Sequence, residues 1–318
     1  PDTAYHEADS LPWENGGRHV TFPHTVPADS NADYRGLPEF PFMDQVTLDL
    51  ALEGVNRLDL GKGPPPDVLA VSLSATDYIG HMYGPDSREL HDQVLRLDRA
   101  LGVFLDSLYK LRDSTKIIIA LTGDHGVQSY PAAYTARTHK AAQNYDFRPQ
   151  AREMRSALVA RGADRDAFRF FEGMLFLNRP NLIQNGINPD SVLREFATMI
   201  RAQPGHPRVD LVSTLAKADT TVDFVARRWL HTLTPESGVE AVVTLPSRSV
   251  WEGTATAQHG SPQDDDAWVP VLFYGGPFKP GRYPAFTRVV DMAPTLAWVL
   301  GVRPTEALDG RILWSAIR

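Results

Sequence analysis

Two short, β-branched apolar runs constrain this chain more than any other feature. Val68-Leu-Ala-Val-Ser-Leu-Ser74 and Lys116-Ile-Ile-Ile-Ala-Leu-Thr122 are too brief for helices and too continuously apolar for half-exposed strands. Both therefore read as buried strands. Between them, from Ser87 to Tyr109, Leu90, Val94, Leu97, Leu101, Phe104, Leu105 and Leu108 recur along one helical face. Strand, helix and strand in that order predict an α/β fold, with a parallel-rich sheet flanked by helices. Active sites in such sheets lie at the carboxyl ends of strands. The residues just after each run are the first place to look for chemistry.

After the first run comes Thr76-Asp77-Tyr78-Ile79-Gly80-His81, and after the second Gly123-Asp124-His125-Gly126. Asp77 and His81 are four apart, so a helical turn puts both on one face. A third segment, Ala257-Gln258-His259-Gly260-Ser261, arrives late. Each of the three histidines adjoins a glycine and lies near a predicted strand end. Asp77, His81, Asp124, His125 and His259 are thus candidate metal ligands. The sequence has no cysteine, so any metal must be held by His, Asp and Glu. Oxygen and nitrogen ligands suit zinc, with other divalent metals as alternatives. Five such ligands point to two ions, and a pair about 3.5–4 Å apart suits displacement at phosphorus. Singly, each motif has a plainer reading: Asp77 and Asp124 as helix N-caps, His259 as an ordinary loop residue.

The rest of the chain supplies context. Residues 1–45 show neither helical nor alternating periodicity, and Trp13, Phe22, Tyr34, Phe40 and Phe42 need a core to pack on. Met43 to Leu60 follows a helix pattern, and Gly61-Lys62-Gly63 with three prolines reads as a linker, not a phosphate loop. The expected division is a core from 1–130, an inserted α+β subdomain from 131–255, and a return to the core from 256–318 that brings the last ligand. Within the insert, strands are expected at Phe168–Asn178, Val209–Ala216 and Val239–Leu245. Helices are expected from Tyr145 to Arg161, from Asn188 to about Ala202 and near Val222–Leu233. A net charge of −7 gives no support to nucleic-acid binding. No apolar run approaches the ~20 residues of a membrane span.

Asp77-x-x-x-His81, Thr122-Gly-Asp124-His125-Gly126 and Gln258-His259-Gly-Ser, in this order, resemble the three C-terminal metal motifs of the alkaline phosphatase superfamily. The string Ser74-Ala-Thr-Asp-Tyr-Ile-Gly-His-Met-Tyr-Gly-Pro-Asp-Ser87 most resembles its single-chain bacterial phosphate-monoester hydrolases, relatives of the type I phosphodiesterase/nucleotide pyrophosphatase family. Phe22-Pro-His24, Leu37-Pro-Glu-Phe-Pro-Phe42, Val290-Asp-Met-Ala-Pro-Thr295 and Asp309-Gly-Arg311 fit the same branch.

The resemblance implies two zinc ions, one on Asp77, His81 and His259, the other on Asp124 and His125. It implies a phosphomonoesterase of alkaline phosphatase type acting on small phosphate esters, in the periplasm or outside the cell. A phosphodiesterase or nucleotide pyrophosphatase, or a non-catalytic metal-binding relative, is the alternative. In the family a further metal Asp and a Thr or Ser nucleophile precede these motifs, and no such pair occurs here before Asp77. The expectation is that this chain is the C-terminal part of a longer polypeptide, whose N-terminal part is its partner.

Other residues receive quieter expectations. Tyr78 and Tyr83 should pack around the motif loop. Asp92 and Asp98 should be exposed or support that loop, and the Thr122 hydroxyl should support a ligand. Asp264-Asp-Asp266 reads as a solvated acidic loop. Arg137, His139 and Lys140 read as an exposed basic group. His6, His19, His24, His91, His206 and His231 lack a motif partner and read as surface or structural residues.

Overall fold

The computed structural model describes residues 5–26, 34–140, 142–251 and 257–318. Among them the α-helices are, in chain order, α1 (Phe42–Arg57), α2 (Ala75–Tyr83), α3 (Arg88–Leu111), α4 (Pro131–Thr138), α5 (Arg148–Ala160), α6 (Arg179–Gln184), α7 (Pro189–Arg201), α8 (Val212–Leu215), α9 (Phe224–Thr232), α10 (Asp264–Ala267) and α11 (Met292–Val299). The strands are β1 (Ile119–Thr122), β2 (Asn144–Tyr145), β3 (Phe168–Phe171), β4 (Met174–Leu177), β5 (Arg208–Leu211), β6 (Val239–Thr244), β7 (Val250–Trp251) and β8 (Val271–Tyr274). Helices and sheets mix as an α/β fold requires. The chain separates into two units, Pro1–Gly126 with Trp268–Arg318, and Val127–Ala267. The boundary expected at 255/256 lies outside the described residues, as does the side chain of Tyr34.

In the first unit, α1 buries Leu48, Ala51 and Val55, three and four residues apart on one face. The Arg112 guanidinium ties the ends of α1 and α3 together by donating to the carbonyls of Val55 and Leu60. α2 buries Ala75, Ile79 and Tyr83. α3 starts at Ser87, whose hydroxyl accepts the Leu90 N–H at 3.1 Å, the capping bond that Ser forms well. Its leucines are only half-buried, and its fully buried residues are the polar Glu89, Asp92 and Gln93. Among the described residues only its first turns are covered on several sides.

Residues 68–74, expected as a buried strand, lie outside any strand, and Val68 is 78% exposed. A strand exists only through a neighbour's N–H and C=O groups. Among the described residues no strand pairs with this segment. The second run fares differently: β1 pairs with β8, antiparallel, with Ile119 opposite Tyr274 and Thr122 opposite Val271. Leu121, Leu272 and Tyr274 of this pair stay exposed. Further along, buried Asp291 accepts the N–H groups of Arg288 and Arg311, both at 2.9 Å, and so fastens the Asp309-Gly-Arg311 turn beneath α11.

The second unit is built on an antiparallel sheet of order β3-β4-β6-β5. The single strand expected at Phe168–Asn178 is in fact the hairpin β3–β4. Glu172 (φ 47°) and Gly173 (φ 79°) both take the left-handed conformation of a two-residue turn. A Cβ on Gly173 would stand 2.9 Å from the Val243 carbonyl, so the turn needs glycine there. Phe168, Leu175, Phe196, Ile200 and Leu158 form the main core, from the sheet with α5 and α7. Leu215, Ala226, Trp229, Val239 and Val242 form a second one, with α8 and α9. The strand expected over Val209–Ala216 stops at Leu211 and gives way to the short α8. β2 and β7 make a small parallel pair.

Candidate metal centre

The buried stripe of α2 explains where its polar pair points. Ala75, Ile79 and Tyr83 face inward, and Asp77 and His81 follow Ala75 and Ile79 by two residues, about 200° round the helix. The pair therefore projects away from the packed face. Asp77 Oδ1 lies 3.4 Å from His81 Nε2, with both side chains part-exposed. The turn after β1 delivers the next two candidates. His125 Nε2 is 3.9 Å from Asp77 Oδ1 and 3.6 Å from Asp124 Oδ2. Four of the five residues singled out in the sequence are thus linked within the first unit by a chain of contacts, His81 to Asp77 to His125 to Asp124.

The two ring nitrogens of His125 face different partners. Its Nδ1 lies 2.9 Å from the Gly126 carbonyl, which can only accept, so Nδ1 carries the proton. Nε2, the other ring nitrogen, is the one turned toward the carboxylates of Asp77 and Asp124. Asp124 Oδ1 accepts the N–H of His125, which holds the two neighbours in one conformation. The Thr122 hydroxyl does not support a ligand as expected: it donates to the Gly123 carbonyl at 2.8 Å. Gly123 itself is confined, because a Cβ there would meet Val269 at 3.2 Å.

His259 belongs to the second unit, where its loop is fastened on both sides. The Gln258 carbonyl accepts the Gln128 N–H at 3.0 Å. Asp266 Oδ2 accepts the Ser261 N–H at 2.8 Å and a Gln128 amide hydrogen at 3.1 Å, and the same amide reaches the Ser261 hydroxyl at 2.8 Å. Asp266 was expected in a solvated acidic loop. It is instead buried in α10, and burial raises its carboxyl pKa, against the bonds from Ser261 and Gln128 and the charge of His259. The run Asp264-Asp-Asp266 hides this role, because composition alone marks it as solvent-facing.

Other buried charges lie around α2 in the first unit. His24 stacks on Tyr83 with ring centroids 4.7 Å apart, and its Nε2 lies 2.7 Å from Glu89 Oε1. Burial, aided by nearby Glu89, pushes the Tyr83 phenol up to about 12. Burial likewise raises Glu14 to about 7. His24 is thus structural, as its lack of a motif partner implied, and Tyr83 packs on the buried face of the motif helix, as expected. Asp92 accepts the Tyr5 hydroxyl at 2.7 Å and pairs with Arg96. Arg137, His139 and Lys140 are exposed at the end of α4.

The profile of the type I phosphodiesterase / nucleotide pyrophosphatase family matches residues 4–203. The chain belongs to that family. Within it, the chain is similar to bacterial alkaline phosphatases: it is 28% identical to PhoK of Sphingomonas sp over 300 residues, 88% of this chain and 52% of PhoK. It is 26% identical to PafA of Elizabethkingia meningoseptica over 317 residues, 97% of this chain and 57% of PafA. A crystal structure of the alkaline phosphatase PafA superposes with a TM-score of 0.89 at 23% identity, covering 98% of this chain and 60% of that one. Murine ectonucleotide pyrophosphatase/phosphodiesterase 5 superposes at 0.55 with 14% identity, over 93% of this chain and 66% of that one. These likenesses assign the chain to the alkaline phosphatase superfamily, on its PafA-like branch. The chain spans about half the length of the curated relatives it matches.

Proposed function

We propose that this chain carries the metal-binding part of a zinc-dependent phosphomonoesterase. The run of close contacts from His81 to Asp77, from Asp77 to His125 and from His125 to Asp124, with His125 Nε2 turned toward both carboxylates, is the observation that carries the reading. The donor set fits zinc: carboxylate oxygens and imidazole nitrogens on a turn and a helix anchored from behind, part-exposed at Asp77, His81 and His125 and exposed at Asp124. Asp77, His81 and His259 would hold one ion, and Asp124 and His125 would contribute to a second. Bound zinc lowers the pKa of an oxygen nucleophile and offsets charge on phosphate oxygens. This chain's residues contribute the ligand geometry and the anchoring of α2 and of the turn after β1.

The nucleophile, a Thr or Ser, and a further metal Asp would come from a preceding part of the same polypeptide. The exposed apolar residues Val68, Leu69 and Val71, and the exposed, paired Leu121 and Leu272, support such a partner, because large apolar side chains grouped at a surface ordinarily face another part of a protein. The substrate would be a small phosphate ester, and the setting periplasmic or extracellular, as the resemblance implies. Among the described residues no helix is long and apolar enough to cross a membrane.

A diesterase is the second reading, favoured by the family profile itself and by 33% identity over 107 residues to venom phosphodiesterase 2 of Crotalus adamanteus. The deciding experiment treats the full-length polypeptide with a chelator, restores zinc, and compares p-nitrophenyl phosphate with bis-p-nitrophenyl phosphate. Zinc-dependent turnover that is faster on the monoester supports the first reading. Faster diester hydrolysis supports the second. No hydrolysis of either, with zinc bound, would leave a non-catalytic metal-binding relative.

A further inference from the structure

The N-terminus of α2 is gripped by a buried polar pair from two other helices. Asp44 of α1 is 2% exposed and Gln93 of α3 is fully buried. Asp44 Oδ1 accepts the Ala75 N–H at 3.1 Å, and its Oδ2 accepts a Gln93 amide hydrogen at 2.7 Å. The other amide hydrogen of Gln93 goes to the Thr76 hydroxyl at 3.1 Å. Ala75 and Thr76 open α2, and Ser74, in the capping position, makes no side-chain cap of its own. The helix is therefore capped by a carboxylate from outside, where its N-terminal dipole favours negative charge.

A buried carboxylate is costly, and burial pushes the Asp44 carboxyl up while the bonds from Ala75 and Gln93 pull it down. Two apolar side chains could fill the same space without that cost. What they could not do is fix the rotation of α2, since directional bonds specify one orientation and apolar contacts tolerate several. Rotation matters here because one residue of slip turns a helix by 100°. Asp77 follows Thr76 directly and His81 lies one turn further. A slip would carry both off the face that meets His125.

We propose that Asp44 and Gln93 are positioning residues for the ligand pair Asp77 and His81. This rests on the reading of those two as metal ligands, so Asp77→Ala defines the site in the test. Zinc affinity of the full-length polypeptide is measured by competition with a chromophoric chelator, beside the thermal stability of each metal-free variant. Asp44→Ala and Gln93→Ala are expected to weaken binding at the Asp77-defined site by about 10–100-fold. Asp44→Asn is expected to bind close to wild type, because the Gln93 amide can turn over, accept from Asn, and accept from the Thr76 hydroxyl. Val55→Ala, a buried cavity mutant on α1, controls for lost stability and should leave affinity unchanged.

Wild-type affinity in folded Asp44→Ala and Gln93→Ala would overturn the proposal, as would an equal loss in Val55→Ala. If Asp44→Ala does not fold, Gln93→Ala decides by the same criterion. Unchanged zinc binding in Asp77→Ala would instead sink the ligand reading and take this inference with it.

Discussion

His125 Nε2 stands 3.9 Å from Oδ1 of Asp77, so the turn after β1 reaches the outward face of α2. Two segments distant in sequence thereby share one site, and residues that act as a unit lose function together, not in sum. In the full-length polypeptide, Asp77→Ala and His125→Ala should each lower kcat/KM for a phosphate monoester by about 100-fold or more. The double variant should be little worse than either single one. Losses that multiply in the double variant would mean that the two side chains work independently.

Which features were legible in the sequence follows from how local their causes are. Asp77, His81, Asp124 and His125 could be picked out because each breaks an apolar pattern at a strand or helix boundary. The α2 pair was legible as a pair because i and i+4 spacing depends on that helix alone. Residues 68–74 were misjudged as a strand because strandedness belongs to a pair of segments, and a single run does not contain its neighbour. The β3–β4 hairpin was missed because Phe-Phe-Glu-Gly-Met lacks the usual Asn-Gly signal, and Glu172 takes a left-handed φ that propensity disfavours. Asp44, Gln93 and Asp266 were invisible for another reason. Asp44 and Gln93 read as solvent-facing until the helices that supply their partners are in place, and Asp266 until the loops of Gln128 and Ser261 close on it.

The exposed apolar residues around β1 and 68–74 lead to a second prediction. The 318-residue chain by itself should show no multiple turnover of a phosphate monoester, and it should bind a hydrophobic dye such as ANS more strongly than the full-length polypeptide does. Leu121→Lys with Leu272→Lys should reduce that dye binding in the isolated chain. Robust turnover from the purified chain would mean that a nucleophile lies within it.

Glu14 gives a stability prediction with a definite sign. Burial is the main cause that lifts its carboxyl from 4.5 to about 7; Glu89 and Asp9 push the same way, while the Leu11 N–H and Arg88 oppose. Between those values the folded state holds a proton that the unfolded chain releases. Its contribution to stability is full below about 4.5 and is lost as pH rises through about 7. Glu14→Gln, which stays neutral, should flatten the fall in melting temperature across that window and raise stability on its alkaline side. Parallel pH profiles for wild type and variant would show that Glu14 titrates normally.

Phe196 should dominate the stability of the second unit. It is wholly buried on α7 and meets Phe168 and Phe170 edge-on at 5.1 and 5.2 Å between centroids. Removing such a ring loses its transfer energy, its edge contacts and the packing around the space it leaves. Phe196→Ala should therefore cost about 3–5 kcal/mol, seen as a lower denaturant midpoint with an unchanged slope. Phe171, in the neighbouring hairpin, is the internal control because it is 64% exposed. Phe171→Ala should stay within about 0.5 kcal/mol of wild type. Equal costs for the two would mean that burial in this sheet does not govern its stability, and the core assigned to the second unit would have to be redrawn.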